Sequence, residues 1–122
     1  MAKVKILNLT QHEATKEQLE AGVTEPVLKE MVKRALTFEQ IPTRALLKQR
    51  ARMLALYAKE EQADYALIGG APFFMSTLER ALKEEGITPI YAFSKRECIE
   101  EKMPDGSVEK VQVFRHIGFV EV

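Results

Sequence analysis

The stretch Ala63-Asp64-Tyr65-Ala66-Leu67-Ile68-Gly69-Gly70-Ala71-Pro72-Phe73-Phe74 decides how this chain is read. Ala63 to Ile68 is a short apolar run of the kind that forms a strand covered on both faces. Gly69-Gly70 breaks the run. Pro72 suits the first turn of a helix in which Phe74, Leu78, Ala81 and Leu82 face inward. Gly86 closes that helix, and Ile90 to Phe93 makes another apolar strand. Strand, tight turn, helix and strand form the repeating unit of a parallel sheet, because parallel strands need a crossover connection.

The same pattern extends toward the amino terminus. Pro42 marks the start of a long helix, with Leu46, Leu47, Ala51, Met53, Leu54, Tyr57 and Ala58 at helical spacing. Its other side carries Lys48, Arg50, Arg52, Lys59 and Glu60, the solvated side of an amphipathic helix. Pro26 opens an earlier helix whose stripe is Val27, Leu28, Met31, Val32, Ala35 and Leu36. Before it, Thr15-Lys16-Glu17-Gln18 reads as a capping box for a short helix that Gly22 ends. Val4, Ile6, Leu7 and Leu9 form the first strand.

Toward the carboxyl terminus the period changes. Arg96 to Met103 and Val108 to Phe114 are extended and mixed in polarity. Met103-Pro104-Asp105-Gly106-Ser107 joins them, with the proline presetting a turn dihedral and the glycine supplying positive φ. The expected fold class is therefore α/β. It is a small Rossmann-like three-layer domain over residues 1–122, with three parallel strands and a C-terminal antiparallel β-hairpin at about 96–114 extending the sheet. Such a half-sized parallel sheet invites pairing with a second copy.

Composition sets the outer bounds. The 122 residues are 46% apolar and 30% charged, the balance of a globular domain. Eighteen basic and eighteen acidic side chains cancel, which argues against a globally basic coat for long nucleic acid. The single cysteine, Cys98, allows no intrachain disulfide and no Cys-rich metal site. Nothing reads as a signal peptide or a membrane span, so a reducing, cytoplasmic setting without membrane partners is expected.

In open α/β sheets, ligands bind beyond the carboxyl ends of the strands. That geometry selects Asn8, Thr10, Gln11 and His12 after strand one, and Gly69, Gly70 and Ala71 after strand two. It also selects Ser94, Lys95 and Arg96 after strand three. Two glycines before a helix bring bare backbone N–H groups to an anion, or simply make a tight turn. Ser94, Lys95 and Arg96 supply a hydroxyl and cations suited to phosphate, or a solvated strand end. His12 lies in a polar loop where an imidazole can act as acid or base. His116 reads as a surface or packing residue, and Cys98 as structural. No Gly-x-Gly-x-x-Gly follows the first strand and no Gly-Lys-Ser/Thr occurs, so dinucleotide and P-loop cofactors lose their usual support. With two histidines and no helical His-x-x-x-His, no metal and no cofactor are expected.

A series of segments near the carboxyl end is distinctive. It comprises Tyr91-Ala92-Phe93-Ser94-Lys95-Arg96, Glu100-Glu101-Lys102, Asp105-Gly106-Ser107-Val108-Glu109-Lys110 and Val113-Phe114-Arg115-His116. It resembles the tails of small, stand-alone CRISPR-associated proteins of Rossmann-like (CARF-type) fold, several of which are ring nucleases for cyclic oligoadenylate. The resemblance implies a homodimer that binds a ring of AMP units across its two-fold axis in antiviral defence signalling. It implies metal-independent cleavage, in which a ribose 2′-oxygen attacks the adjacent phosphate and the protein supplies positioning and charge. By position it assigns Arg96 and Lys95 to the phosphorane, with Ser94 beside them, and Gly69 and Gly70 to cradling phosphate. Thr10 and His12 would orient the ribose or assist proton transfer, with Asn8 in the same polar segment. The Asn8-to-Ala14 segment and the bulky Gly-Gly-Ala-Pro-Phe-Phe turn depart from that family's pattern. The residues alone leave open a non-enzymatic module for a nucleotide or other phosphate ligand, a protein-interaction domain, and a metal-dependent hydrolase.

Overall fold

The computed structural model describes residues 4–122; residues 1–3, which the single-domain reading includes, lie outside the described part. The elements run β1 (Ile6–Leu9), α1 (Lys16–Glu20), β2 (Val23–Thr24), α2 (Lys29–Ala35), α3 (Arg44–Glu60), β3 (Tyr65–Ile68), α4 (Pro72–Glu84), β4 (Thr88–Lys102) and β5 (Val108–Glu121). They form one α/β unit around a five-stranded mixed sheet of order β2-β1-β3-β4-β5. The first four strands are parallel, and β5 runs antiparallel to β4.

Local chemistry explains most of the boundaries. Thr15 caps α1 through a capping box with Gln18, as the sequence predicts. Helix α3 begins two residues after Pro42, where the Thr43 hydroxyl accepts the Leu46 N–H. Helix α2 begins at Lys29 rather than beside Pro26, and no side chain caps it. Pro72 is the first residue of α4.

Strand alternation splits the apolar residues between the two faces of the sheet. Leu7, Leu9, Ala66 and Ile68 face α2, α3 and α4, and are buried with Val32, Leu54, Phe74, Leu78 and Leu82. Ile6, Val23, Leu67 and Ile90 form a smaller cluster on the opposite face, with Ala14 packed against it. Helix α1 itself buries no side chain. The helices thus protect one face thoroughly and the other thinly.

The structure differs from the sequence reading at both sheet edges. Val23-Thr24 forms a fourth parallel strand beside β1. Two residues are too few to show any hydrophobic period, so the pattern could not reveal it. At the other edge, Ile90 to Phe93 and Arg96 to Met103 are not separate elements. They form one strand, β4, and its partner continues past Phe114 to Glu121. Gly118 lies opposite Phe93 at a bulge where Ile117 is the extra residue. Beyond the bulge, residues 94–102 and 108–116 pair only with each other as an arm leaving the sheet. The turn at its tip is held by Asp105, which accepts bonds from the Ser107 hydroxyl and N–H. The Ser107 hydroxyl is the main reason that the Asp105 carboxyl stays below its ordinary range.

The packing makes a direct prediction for neighbouring positions on α3. Leu54 is fully buried while Met53 is exposed. Leu54→Ala should cost about 3 kcal/mol in urea unfolding, whereas Met53→Ala should stay within about 0.5 kcal/mol. Equal effects would contradict the orientation of the helix.

Candidate functional site

The chain leaves β1 toward β2 on one side and leaves β3 toward β4 on the other. Right-handed crossovers then place the two connections on opposite faces, and a crevice opens between the carboxyl ends of β1 and β3. A groove of about 390 Å³ lies there. It is bordered by Thr10 to Glu13, the α1 cap residues Thr15 and Gln18, Gly69-Gly70, and Tyr91-Ala92 of β4. Larger by volume, at about 490 Å³, is a cleft between α3 and α4 that contains none of the predicted residues. The chemistry favours the crevice, because it gathers loop backbone and polar side chains from several strand ends.

Asn8 builds the loop on the β1 side. It is the one buried polar side chain recorded among the described residues, at 1% exposure. Its amide nitrogen donates to the His12 carbonyl at 2.8 Å and to the Glu25 carboxylate at 3.1 Å. Its amide oxygen accepts from the Thr10 N–H and hydroxyl at 3.1 and 2.7 Å. Glu25 also accepts the Ala14 N–H at 2.6 Å, tying the end of β2 to the entrance of α1. Asn8 therefore acts on any ligand through the loop that it shapes. Thr10 belongs to the same network, while Gln11 donates to the Thr37 hydroxyl at 2.8 Å. His12 is exposed on the groove rim.

The β3 side is a bare turn. Gly70 has φ +150°, a conformation disfavoured for residues with a side chain. A Cβ on Gly69 would instead meet only the Thr10 methyl at 3.7 Å, an ordinary contact. The turn runs through Ala71 into α4, which no side chain caps at its amino end. Tyr91, on the far wall, donates its hydroxyl to Glu79 at 2.6 Å. Burial, then the Glu79 carboxylate, pushes the phenol well above its usual range, so it stays a neutral donor.

The third predicted cluster lies elsewhere. Ser94, Lys95 and Arg96 are not on a loop after a strand but within β4, opposite His116, Arg115 and Phe114. None of them borders the groove. Alternation separates them further. Ser94 and Arg96 share a face with Ala92, which does border the groove, whereas Lys95 lies on the opposite, helix-side face. Arg96 sits about 13 Å along the strand from Ala92. Its guanidinium lies 5.1 Å from the centre of the Phe114 ring, and no carboxylate pairs with it among the described residues. The structure thus joins Thr10, Gln11, His12, Gly69 and Gly70 at one crevice, with Ser94 and Arg96 extending one wall.

Glu25, Gln18 and Tyr91 are site residues that the sequence reading passed over. Glu25 and Tyr91 act through partners far away in the chain, which no local pattern reports. Gln18 was visible, but only as half of a capping box. His116 packs against Phe119 with ring centroids 4.9 Å apart and planes tilted by 58°, and its backbone N–H reaches Glu17 of α1. Cys98 is a free, exposed thiol on the arm. No group of three or more potential metal ligands occurs among the described residues.

The adjacent glycines should respond differently to substitution. Gly70→Ala should lose roughly 1–3 kcal/mol of unfolding free energy through backbone strain. Gly69→Ala should change stability by less than about 0.5 kcal/mol. Thermal or urea melts that rank them the other way would contradict the geometry of the turn.

A family model described as the Uncharacterized protein MJ1673 family matches residues 4–120. Curated proteins give no match, and neither do solved structures. With almost its whole described length matched, the chain belongs to the MJ1673 family.

Proposed function

We propose that this protein binds a phosphate-bearing nucleotide ligand in the crevice between β1 and β3, and that the ligand reaches along β4 to Arg96. The observation that carries this reading is the continuity of one face. Groove, Ala92, Ser94 and Arg96 follow one another on the same side of β4, with bare glycine backbone at one end and, at the other, a guanidinium that no carboxylate pairs with among the described residues. A ligand with more than one phosphate engages both. A mononucleotide leaves Arg96 unused.

The order of parallel strands and crossover helices supports a Rossmann-like description of the fold, with the groove at its topological switch point. The resemblance of residues 91–116 to CARF-type proteins makes cyclic oligoadenylate the ligand class of choice. Cytoplasmic residence follows from that reading, and an exposed free thiol is at home in a reducing compartment. No helix among the described residues is long and apolar enough to cross a membrane.

Cleavage is the second step of the proposal, favoured by the presence of His12 on the groove rim. The ribose 2′-oxygen would form a bond to the neighbouring phosphorus while the bond to the 5′-oxygen breaks. The 2′-hydroxyl proton ends on the departing 5′-oxygen, leaving a 2′,3′-cyclic phosphate. His12 would carry that proton, the bare Gly69-Gly70 backbone in the same groove would balance charge on the phosphorane, and Arg96 would hold a more distant phosphate of the same ligand. Lys95, facing away, has no direct part in this scheme.

The test is binding of cyclic tri-, tetra- and hexa-adenylate to the purified protein in chelator, followed by product analysis. One ring should bind, and Arg96→Ala should weaken it about tenfold or more. Arg52→Ala, in the α3–α4 cleft, should leave affinity unchanged. Linear products ending in cyclic phosphate, lost in His12→Ala at saturating ligand, would establish cleavage. Binding without products would leave a sensor. Failure of the folded protein to bind any ring would overturn the ligand assignment.

A further inference from the structure

The arm presents a second face that the ligand reading does not use. Lys95, Glu97, Ile99 and Glu101 of β4 lie on its helix side, opposite Arg115, Val113, Val111 and Glu109 of β5 respectively. Lys95 faces Arg115 and Glu101 faces Glu109, so the ribbon contains a rung of paired positive charges and a rung of paired negative charges. Like charges directly opposite one another destabilise an antiparallel pair. Glu97 relieves part of the first rung through an ion pair with Arg115 at 3.4 Å. Nothing comparable relieves Glu101 and Glu109 among the described residues. Between the charged rungs lie Val113, Ile99 and Val111, with no other element of the chain covering them. A two-stranded ribbon of this kind has little stability by itself in water.

From this pattern we infer that the helix-side face of the arm is an isologous interface between two copies of this chain. A two-fold axis through the Cys98–Gln112 rung would lay the arms face to face and antiparallel. The Lys95–Arg115 rung of one copy would then cover the Glu101–Glu109 rung of the other, twice by symmetry. The Glu97–Val113 rung would cover Ile99 and Val111. Self-complementarity is what a closed two-fold contact requires. Both unfavourable rungs are neutralised in the same step, and the valines and isoleucine leave water. Parallel stacking of the arms would instead place like rungs on like. The interface leaves Ser94 and Arg96 outward on each copy. It stands independently of the ligand, and it places the two grooves on opposite sides rather than around one shared ring.

Charge-swap complementation tests the interface. Analytical ultracentrifugation of the full chain should show a dimer that weakens as salt rises. Lys95→Glu/Arg115→Glu and Glu101→Lys/Glu109→Lys should each lower self-association about tenfold or more, while an equimolar mixture of the two restores the dimer. Lys95→Glu alone guards against a folding artefact. It removes a like-charge rung within the arm, so at dilutions where both proteins are monomeric it should keep the melting temperature, while weakening the dimer at higher concentration. A monomeric wild-type protein, a dimer indifferent to these reversals, or a mixture that stays monomeric would each overturn the proposal.

Discussion

The handedness of crossover connections is the constraint on which the rest of this structure depends. A right-twisted strand feeding a helix returns to the sheet in only one sense. Because β2 and β3 lie on opposite sides of β1, the first crossover must cover one face and the later ones the other. The chain therefore parts at the carboxyl ends of β1 and β3. Two loops must then be kept apart and in shape without a helix between them. Asn8 does this on one side by using its whole amide, and on the other Gly70 does it by adopting a φ of +150° that residues with a side chain disfavour.

The arm obeys different physics. Inside the sheet, β4 is held by β3 and by α4, and its alternation separates two cores. Past the bulge, this chain covers the arm at its base, where the His116 N–H reaches Glu17 of α1, and charged residues occupy both faces. The two faces are nevertheless unlike. One carries Ser94, Arg96 and the 70% exposed Phe114 away from the groove; the other carries like-charged rungs on either side of an apolar centre. A surface of the first kind suits an anion with a planar base. The second is the face proposed to meet its own copy.

The amount legible in the sequence follows from the range of the forces involved. The Thr15 capping box, Pro72 at the start of α4 and the glycine break after β3 are local and appear where the pattern places them; the α3 stripe does so at Ala51, Leu54, Tyr57 and Ala58, but Met53, which the spacing put in it, is exposed. The β2 strand is too short for any period. The continuity of β4 was hidden because Ser-Lys-Arg-Glu lacks the apolar alternation that burial on one face imposes. The same hidden continuity moved Ser94, Lys95 and Arg96 from a supposed loop into a strand, and sent Lys95 to the far side. Glu25 and Tyr91 could be found only once their partners Asn8 and Glu79 were placed in space. The like-charged rungs behind the proposed contact between arms were equally invisible before the register paired Lys95 with Arg115 and Glu101 with Glu109.

The most direct measurement of the central claim is an amide NMR titration of the protein with cyclic oligoadenylate. The account predicts chemical-shift changes at Thr10, His12, Gly69 and Gly70, continuing through Ala92 to Ser94 and Arg96, with α3 and the outer side of α4 unmoved. Shifts centred on Arg52 and Arg80 in the α3–α4 cleft, with the glycine turn silent, would contradict it.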